Sequence, residues 1–236
     1  FACVFFLLSV VVPTKVTQAH GINGHIQVTA WSMADLQDMG LRALLEDADV
    51  VDAMLFGAAF PDTGYASDKE YGEPAHWEPF VERLVAHVRR QYPPPYVDLE
   101  DRKRVAFIMG LAAHGLQDEI FDTLFLVQVD THDGATQDDV DPATDAFLEV
   151  DGHLEYKPAI YAPISDLIEV FAQSGVTVDE ATIQTGMSRV KTLVIDYFSG
   201  IAQSINADLR PRLGWTLAHY LDETVPGSLT SEVPAT

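Results

Sequence analysis

The chain has 236 residues, 47% of them apolar, so it can form one large domain with a substantial core and is too hydrophobic for a disordered polyanion. Its formal net charge is −22, from 36 acidic residues against 14 basic ones. Such a surface repels polyphosphates, which argues against a general nucleic-acid binder and against simple electrostatic docking on an anionic membrane.

Residues 1–12, FACVFFLLSVVV, form an apolar run too short to span a bilayer comfortably. The following polar stretch ends in Thr17-Gln18-Ala19, a small-x-small pattern. Residues 1–19 therefore read as an N-terminally incomplete signal peptide, and the mature protein as secreted or periplasmic. The single cysteine, Cys3, falls in this segment, so no disulfide is expected afterwards. Cleavage after Ala19 makes His20 the new N-terminus. Its free amine, its carbonyl oxygen and the His25 imidazole could then converge on one ion; the plainer reading is an incidental residue at a frayed end.

The rest of the chain reads as mostly helical. Apolar residues at helical spacing cover 33–56, with Gly57 and Pro61 ending the run and FPDTGY following as a turn. Residues 77–91 repeat the pattern until YPPPY stops it, and 101–128 form the longest predicted helix. An acidic loop is expected over 129–145, then helices near 158–174, 178–203 and 205–222. The globular domain is expected over 20–224, with a loose tail at 225–236. There is no Gly-rich phosphate loop, Gly-x-Ser-x-Gly elbow or Cys-x-x-Cys pair.

Within the long helix, AAHGLQDEIFDTLF places His114, Asp118 and Asp122 at four-residue steps. Each step turns the side chain by about 40°, so the three share one stripe. Set among Ala, Leu, Ile and Phe, these groups need partners, either a metal ion or one another in a hydrogen-bonded core pair. Asp62 in FPDTGY and His76 in EPAHWEPF read singly as capping or packing residues. Tyr65, Trp77 and Trp31 are candidates for a pocket wall.

Taken together, GINGH, AAFPDTGY, AHWEPFVERLVAHVRRQYPPPY and VAFIMGLAAHGLQDEIFDTL resemble the zinc-dependent phospholipase C superfamily. They most resemble the N-terminal catalytic domain of glycosylphosphatidylinositol-specific phospholipase D. The opening HGINGH is also similar to the mature start of the related single-strand nucleases. The resemblance implies an all-α fold around a zinc cluster. It implies one zinc at Asp62, His76, His114 and Asp118, and a second at His20 and His25 with Asp118 bridging. Nitrogen and carboxylate ligands suit zinc.

The family's third site normally contains imidazoles. Here the matching positions are Asp122, Asp141 and Asp145, a harder set that fits magnesium, calcium or manganese better than zinc, or holds no ion. The activity implied is hydrolysis of phospholipid or glycolipid phosphodiesters through a metal-bridged hydroxide, with Asp62 doubling as proton acceptor and transient contact with a membrane surface. The alternatives are a single-strand nuclease, which the acidic balance disfavours, and a catalytically inactive metal-stabilised domain.

Overall fold

The computed structural model describes residues 21–67 and 71–221; the expected signal peptide at 1–19, His20 and the tail at 225–236 lie outside them. The described residues are all-α and contain no strand. None of their helices is long and apolar enough to cross a membrane.

The first helix, α1 (Ile22–Ser32), is absent from the periodicity reading. Its residues Ile22 through Gln27 are all buried, so it carries no polar face for a helical pattern to reveal. The run expected over 33–56 divides into a 3₁₀ turn (Met33–Asp35), α2 (Met39–Leu44) and α3 (Ala48–Thr63). Two aspartates set the divisions. Asp38 accepts from the Gly40 and Leu41 amides at 2.8 and 2.9 Å, and Asp47 accepts from Asp49 N at 3.0 Å.

Helix α3 runs past Gly57 and through Pro61 to Thr63, so FPDTGY is mostly the last helical turn rather than a loop. Gly57 stays helical because its missing side chain is needed for packing. A Cβ there would come within 2.3 Å of Phe107 O, and one on Gly110 within 1.9 Å of Met54 O. These paired glycines let α3 cross α5 (Leu99–Ile120) at backbone contact, in the most extensive helix pairing of the protein.

After α4 (Glu78–Gln91) and α5, a wide π turn (Phe121–Phe125) leads into α6 (Leu126–Asp133). The expected acidic loop at 129–145 is instead the end of α6, a left-handed Gly134 at φ 65°, and most of α7 (Gln137–Val150). Val140, Ala143 and Phe147 bury one face of α7, while Asp138 and Asp139 suit its N-terminal dipole. The remaining helices are α8 (Ile164–Gln173), α9 (Glu180–Arg189), α10 (Ser199–Leu209) and α11 (Gly214–His219). A π turn (Val190–Asp196) interrupts the helix expected over 178–203, and Pro211 lies in the break of that expected over 205–222.

Most of the buried apolar side chains among the described residues fall into two clusters, beside two minor ones at Val50, Ala53 and Met54 with Ala106 and at Ala146 with Phe198. The larger joins α1, α3, α4, α5, α8 and α9 around Phe56, Phe60, Phe80, Phe107 and Phe171. The smaller joins the first π turn to α6, α7 and α11 around Phe121, Phe125, Phe147 and Leu213. Helix α1 packs on α3, α5 and α7, and its polar residue His25 sits fully buried among them.

Candidate metal centre

Three buried imidazoles and two carboxylates meet where α1, α3 and α5 come together. One ligand atom each from His25, His114 and Asp118 lie within 4.8 Å of one another, and so do those from Asp62, His76 and His114. His114 belongs to both groups. Asp118 reaches both, with one oxygen 3.2 Å from His25 Nε2 and the other 3.1 Å from His114 Nε2. Asp62 Oδ1 stands 3.5 Å from His76 Nε2. The His25 and His114 rings stack with centroids 3.9 Å apart.

The other ring nitrogen of each histidine is held from behind. His114 Nδ1 lies 2.7 Å from Ala58 O, so the glycine crossing of α3 and α5 also orients this ring. His76 Nδ1 lies 3.0 Å from Gly72 O. A Cβ on Gly64 would come within 2.0 Å of Gly72 N, and this close approach draws the 3₁₀ turn Glu73–His76 onto the end of α3, facing Asp62. His25 Nδ1 lies 2.8 Å from the Gln117 carboxamide oxygen, while Gln117 Nε2 donates to Thr29 Oγ1 at 2.8 Å. Carbonyl acceptors at Nδ1 leave Nε2 as the lone-pair atom pointing into the cluster, an arrangement that second-shell contacts produce around metals.

The inward atoms lack hydrogen-bonding complements. Both oxygens of Asp62, His76 Nε2, His114 Nε2 and Asp118 Oδ1 are buried without a hydrogen bond to any described residue. With only one another and His25 in reach among the described residues, at 3.1–3.5 Å and without hydrogen-bond geometry, these buried acceptors are under-satisfied at a cost on the order of 1–3 kcal/mol for each group unless a cation collects them. The charge states of His114 and Asp118 agree, whereas burial lowers the pKa of His76 less than Asp62 and Asp118 raise it, so that it lies above its ordinary value. Burial and the neighbouring His25 lower the pKa of His114 despite Asp118 and Asp62. Burial would raise that of Asp118, but His25 and His114 hold it well below the usual carboxylate range. A neutral imidazole beside an ionised carboxylate is the donor chemistry that zinc takes.

The three remaining acids are placed differently. Asp145 is buried on α7 and serves the N-terminus of α1. It accepts from Asn23 N and Nδ2, both at 3.1 Å, and from Gly24 N at 2.7 Å. It thus supplies the capping carboxylate that Gly21, at the N-cap, cannot. Asp141, also buried on α7, keeps one oxygen without a hydrogen bond. Burial and the charges of Asp62, Asp145, Asp122 and Asp118 raise its pKa well above the usual carboxylate value. Asp122 lies in the first π turn and is exposed, and it shares the lining of one trough with Asp118. None of the three completes a described ligand group. Gln117, Asn23 and the Ala58 and Gly72 carbonyls, which orient or anchor the ligands, escaped the sequence reading because amides and carbonyls carry no motif.

Beside the cluster opens a trough of about 1160 Å³ between α4 and α5, reaching Asp118, Asp122 and His76. Tyr65 and Trp77 line it as expected, joined through Glu73, which accepts from Tyr65 Oη at 2.6 Å and Trp77 Nε1 at 3.0 Å. Trp31 does not; it packs on the smaller apolar cluster, with its ring 6.4 Å from that of His153.

The chain is a distant relative of the phosphatidylinositol-glycan-specific phospholipases D. It is 29% identical to the Bos taurus protein over 177 residues, covering 65% of this chain and 20% of that protein. For the Rattus norvegicus protein the identity is 27% over 173 residues, covering 64% and 20%. The Homo sapiens protein is 31% identical over 119 residues, covering 46% and 14%. The chain thus spans about 20% or less of the length of these relatives. No protein-family model and no solved structure matches it.

Proposed function

We propose that this chain is an exported, metal-dependent phosphodiesterase acting on phospholipid or glycolipid phosphodiesters. The observation that carries the proposal is the convergence of three Nε2 atoms with Asp62 and Asp118, each imidazole locked from behind by a carbonyl oxygen. The relatives' name, a phospholipase D for phosphatidylinositol-glycans, supports the substrate class.

One zinc is assigned to Asp62, His76, His114 and Asp118. A second is assigned to His25 and Asp118, with His20 as its further ligand. Ions there would lower the pKa of water and neutralise charge on phosphoryl oxygens. The protein's own part is orientation and proton handling. Ala58 O, Gly72 O and Gln117 keep three imidazoles in the tautomer that presents Nε2 inward. Asp62 is almost fully buried, with His76 Nε2 at 3.5 Å from its Oδ1, so it is the assigned proton acceptor. At the third position, Asp122, Asp141 and Asp145 offer oxygen only. We assign them a weaker, non-zinc ion, with Asp145 already engaged by α1.

Metal counting on purified protein, with assays on phosphatidylinositol-glycan, phosphatidylcholine and single-stranded DNA, tests the proposal. Two zincs per chain and chelator-sensitive lipid hydrolysis are expected, and the product, phosphatidic acid or diacylglycerol, assigns D-type or C-type cleavage. Preferential cleavage of DNA would replace the lipase by the nuclease. Bound zinc with no phosphodiester turnover would establish an inactive metal-stabilised domain.

A further inference from the structure

The trough beside the metal centre is built largely by what its helices omit. Ala86 on α4 and Ala112 on α5 leave its floor low, Gly115 lets the His76 carbonyl approach α5 at its end, and Val81, Val85 and Leu111 make its walls apolar. Between Val81 and Arg89 the α4 axis advances about 12 Å at 1.5 Å per residue, room for roughly eight to ten methylenes in extended form. Its inner end is the catalytic cluster itself, because His76 and Asp118 are walls of both. Its mouth is flanked by Trp77 and Leu116, each 59% exposed.

Charge restricts the occupant. Glu78, Glu82 and Glu119 border the trough, with Arg89 as the one cation among its lining residues. That acidic border repels a second phosphate or a nucleic-acid strand, and the hydrogen-bonding groups sit on the border while the floor and walls between them are apolar, a surface that desolvates a polar glycan without replacing its hydrogen bonds there. An uncharged hydrocarbon chain meets both conditions. From this geometry we infer that the α4–α5 trough binds one hydrocarbon chain of the substrate and sets its preferred length. The inference rests on the phosphodiesterase reading for the position of the head group. It concerns a separate property, chain binding, that can be measured without turnover.

The test is calorimetric binding of monomeric n-alkyl phosphocholines of roughly six to ten carbons to the metal-loaded full chain. Affinity should rise about fourfold per added methylene and then level off when the trough is full. Ala112→Phe and Ala86→Phe, each at an exposed position, place a ring on the floor. Each should retain bound zinc and its melting temperature, yet weaken the longest ligand at least tenfold and flatten the series. A series that is flat in the parent protein overturns the inference, as does a plugged, folded variant that binds like the parent. Concentration-dependent self-association abolished by Ala112→Phe, without amphiphile binding, overturns it in favour of a second copy. Hydrolysis assays report independently on the phosphodiesterase, so an inactive protein that still shows the chain-length series refutes that function and upholds the trough.

Discussion

Asp145 accepts a 2.7 Å hydrogen bond from the backbone N–H of Gly24, across 121 residues of sequence. The contact ties the first turn of α1 to α7, and with it the orientation of His25 one residue on. Asp145→Ala removes the acceptor for two amides and for the Asn23 side chain, in a site too buried for water to replace it. The expected cost is about 2–4 kcal/mol in urea unfolding. Loss of the ion assigned to His25 should accompany it, read by metal analysis. Unchanged stability and metal content would show that α1 is held by its apolar face alone.

His114 and Gln117 separate ligation from orientation. His114 belongs to both candidate ion groups, so His114→Ala should remove most bound metal and abolish turnover. Among the described residues the Gln117 side chain hydrogen-bonds to the back of His25 and to the Thr29 hydroxyl. Gln117→Leu should leave the ligands in place and weaken metal binding by about 10–100-fold, measured by competition with a chelator. Equal affinity in the parent and Gln117→Leu proteins would mean that His25 is not a ligand.

Much of this arrangement was legible beforehand, and particular residues show where legibility stopped. The resemblance brought together His25, Asp62, His76, His114 and Asp118, and the structure places these five in one buried cluster. Periodicity found α4 because Phe80, Leu84 and Val88 bury one face of an otherwise polar helix. It missed α1, which is buried on every side, and it took Gly57 for a terminator when the residue is a contact point. Asp122 shares the trough lining with Asp118, yet it is exposed in the π turn that begins at Phe121, a feature that helical periodicity does not record. Tertiary contact decided each of these outcomes, and a one-dimensional pattern does not record it.

The crossing of α3 and α5 should be intolerant of a single methyl group. A Cβ at Gly110 meets the Met54 carbonyl, a backbone atom that cannot rotate aside. Gly110→Ala therefore has to separate the helices, with a cost of about 2–3 kcal/mol or more, despite the higher helix propensity of alanine. Separation also draws Ala58 O away from His114 Nδ1, so zinc affinity should fall together with the melting temperature. Gly200 has open space around it and is the control; Gly200→Ala should be neutral or slightly stabilising.

The C-terminal helix is secured by a carboxylate whose titration predicts an acid transition. Asp133 accepts from Trp215 N at 3.0 Å, and from Thr216 N and Oγ1 at 2.8 Å each. Burial alone would raise its pKa, but these donors outweigh it and hold the carboxyl below its ordinary value. A depressed pKa contributes stability above the unfolded value of about 3.9 and loses it as pH falls through the folded one. Docking of α11 should therefore weaken below about pH 4, reported by the fluorescence of Trp215, which packs against Phe125 at a centroid distance of 5.5 Å. Asp133→Asn should weaken docking at neutral pH and suppress the acid transition. A transition of equal size in that variant would assign it to other carboxylates.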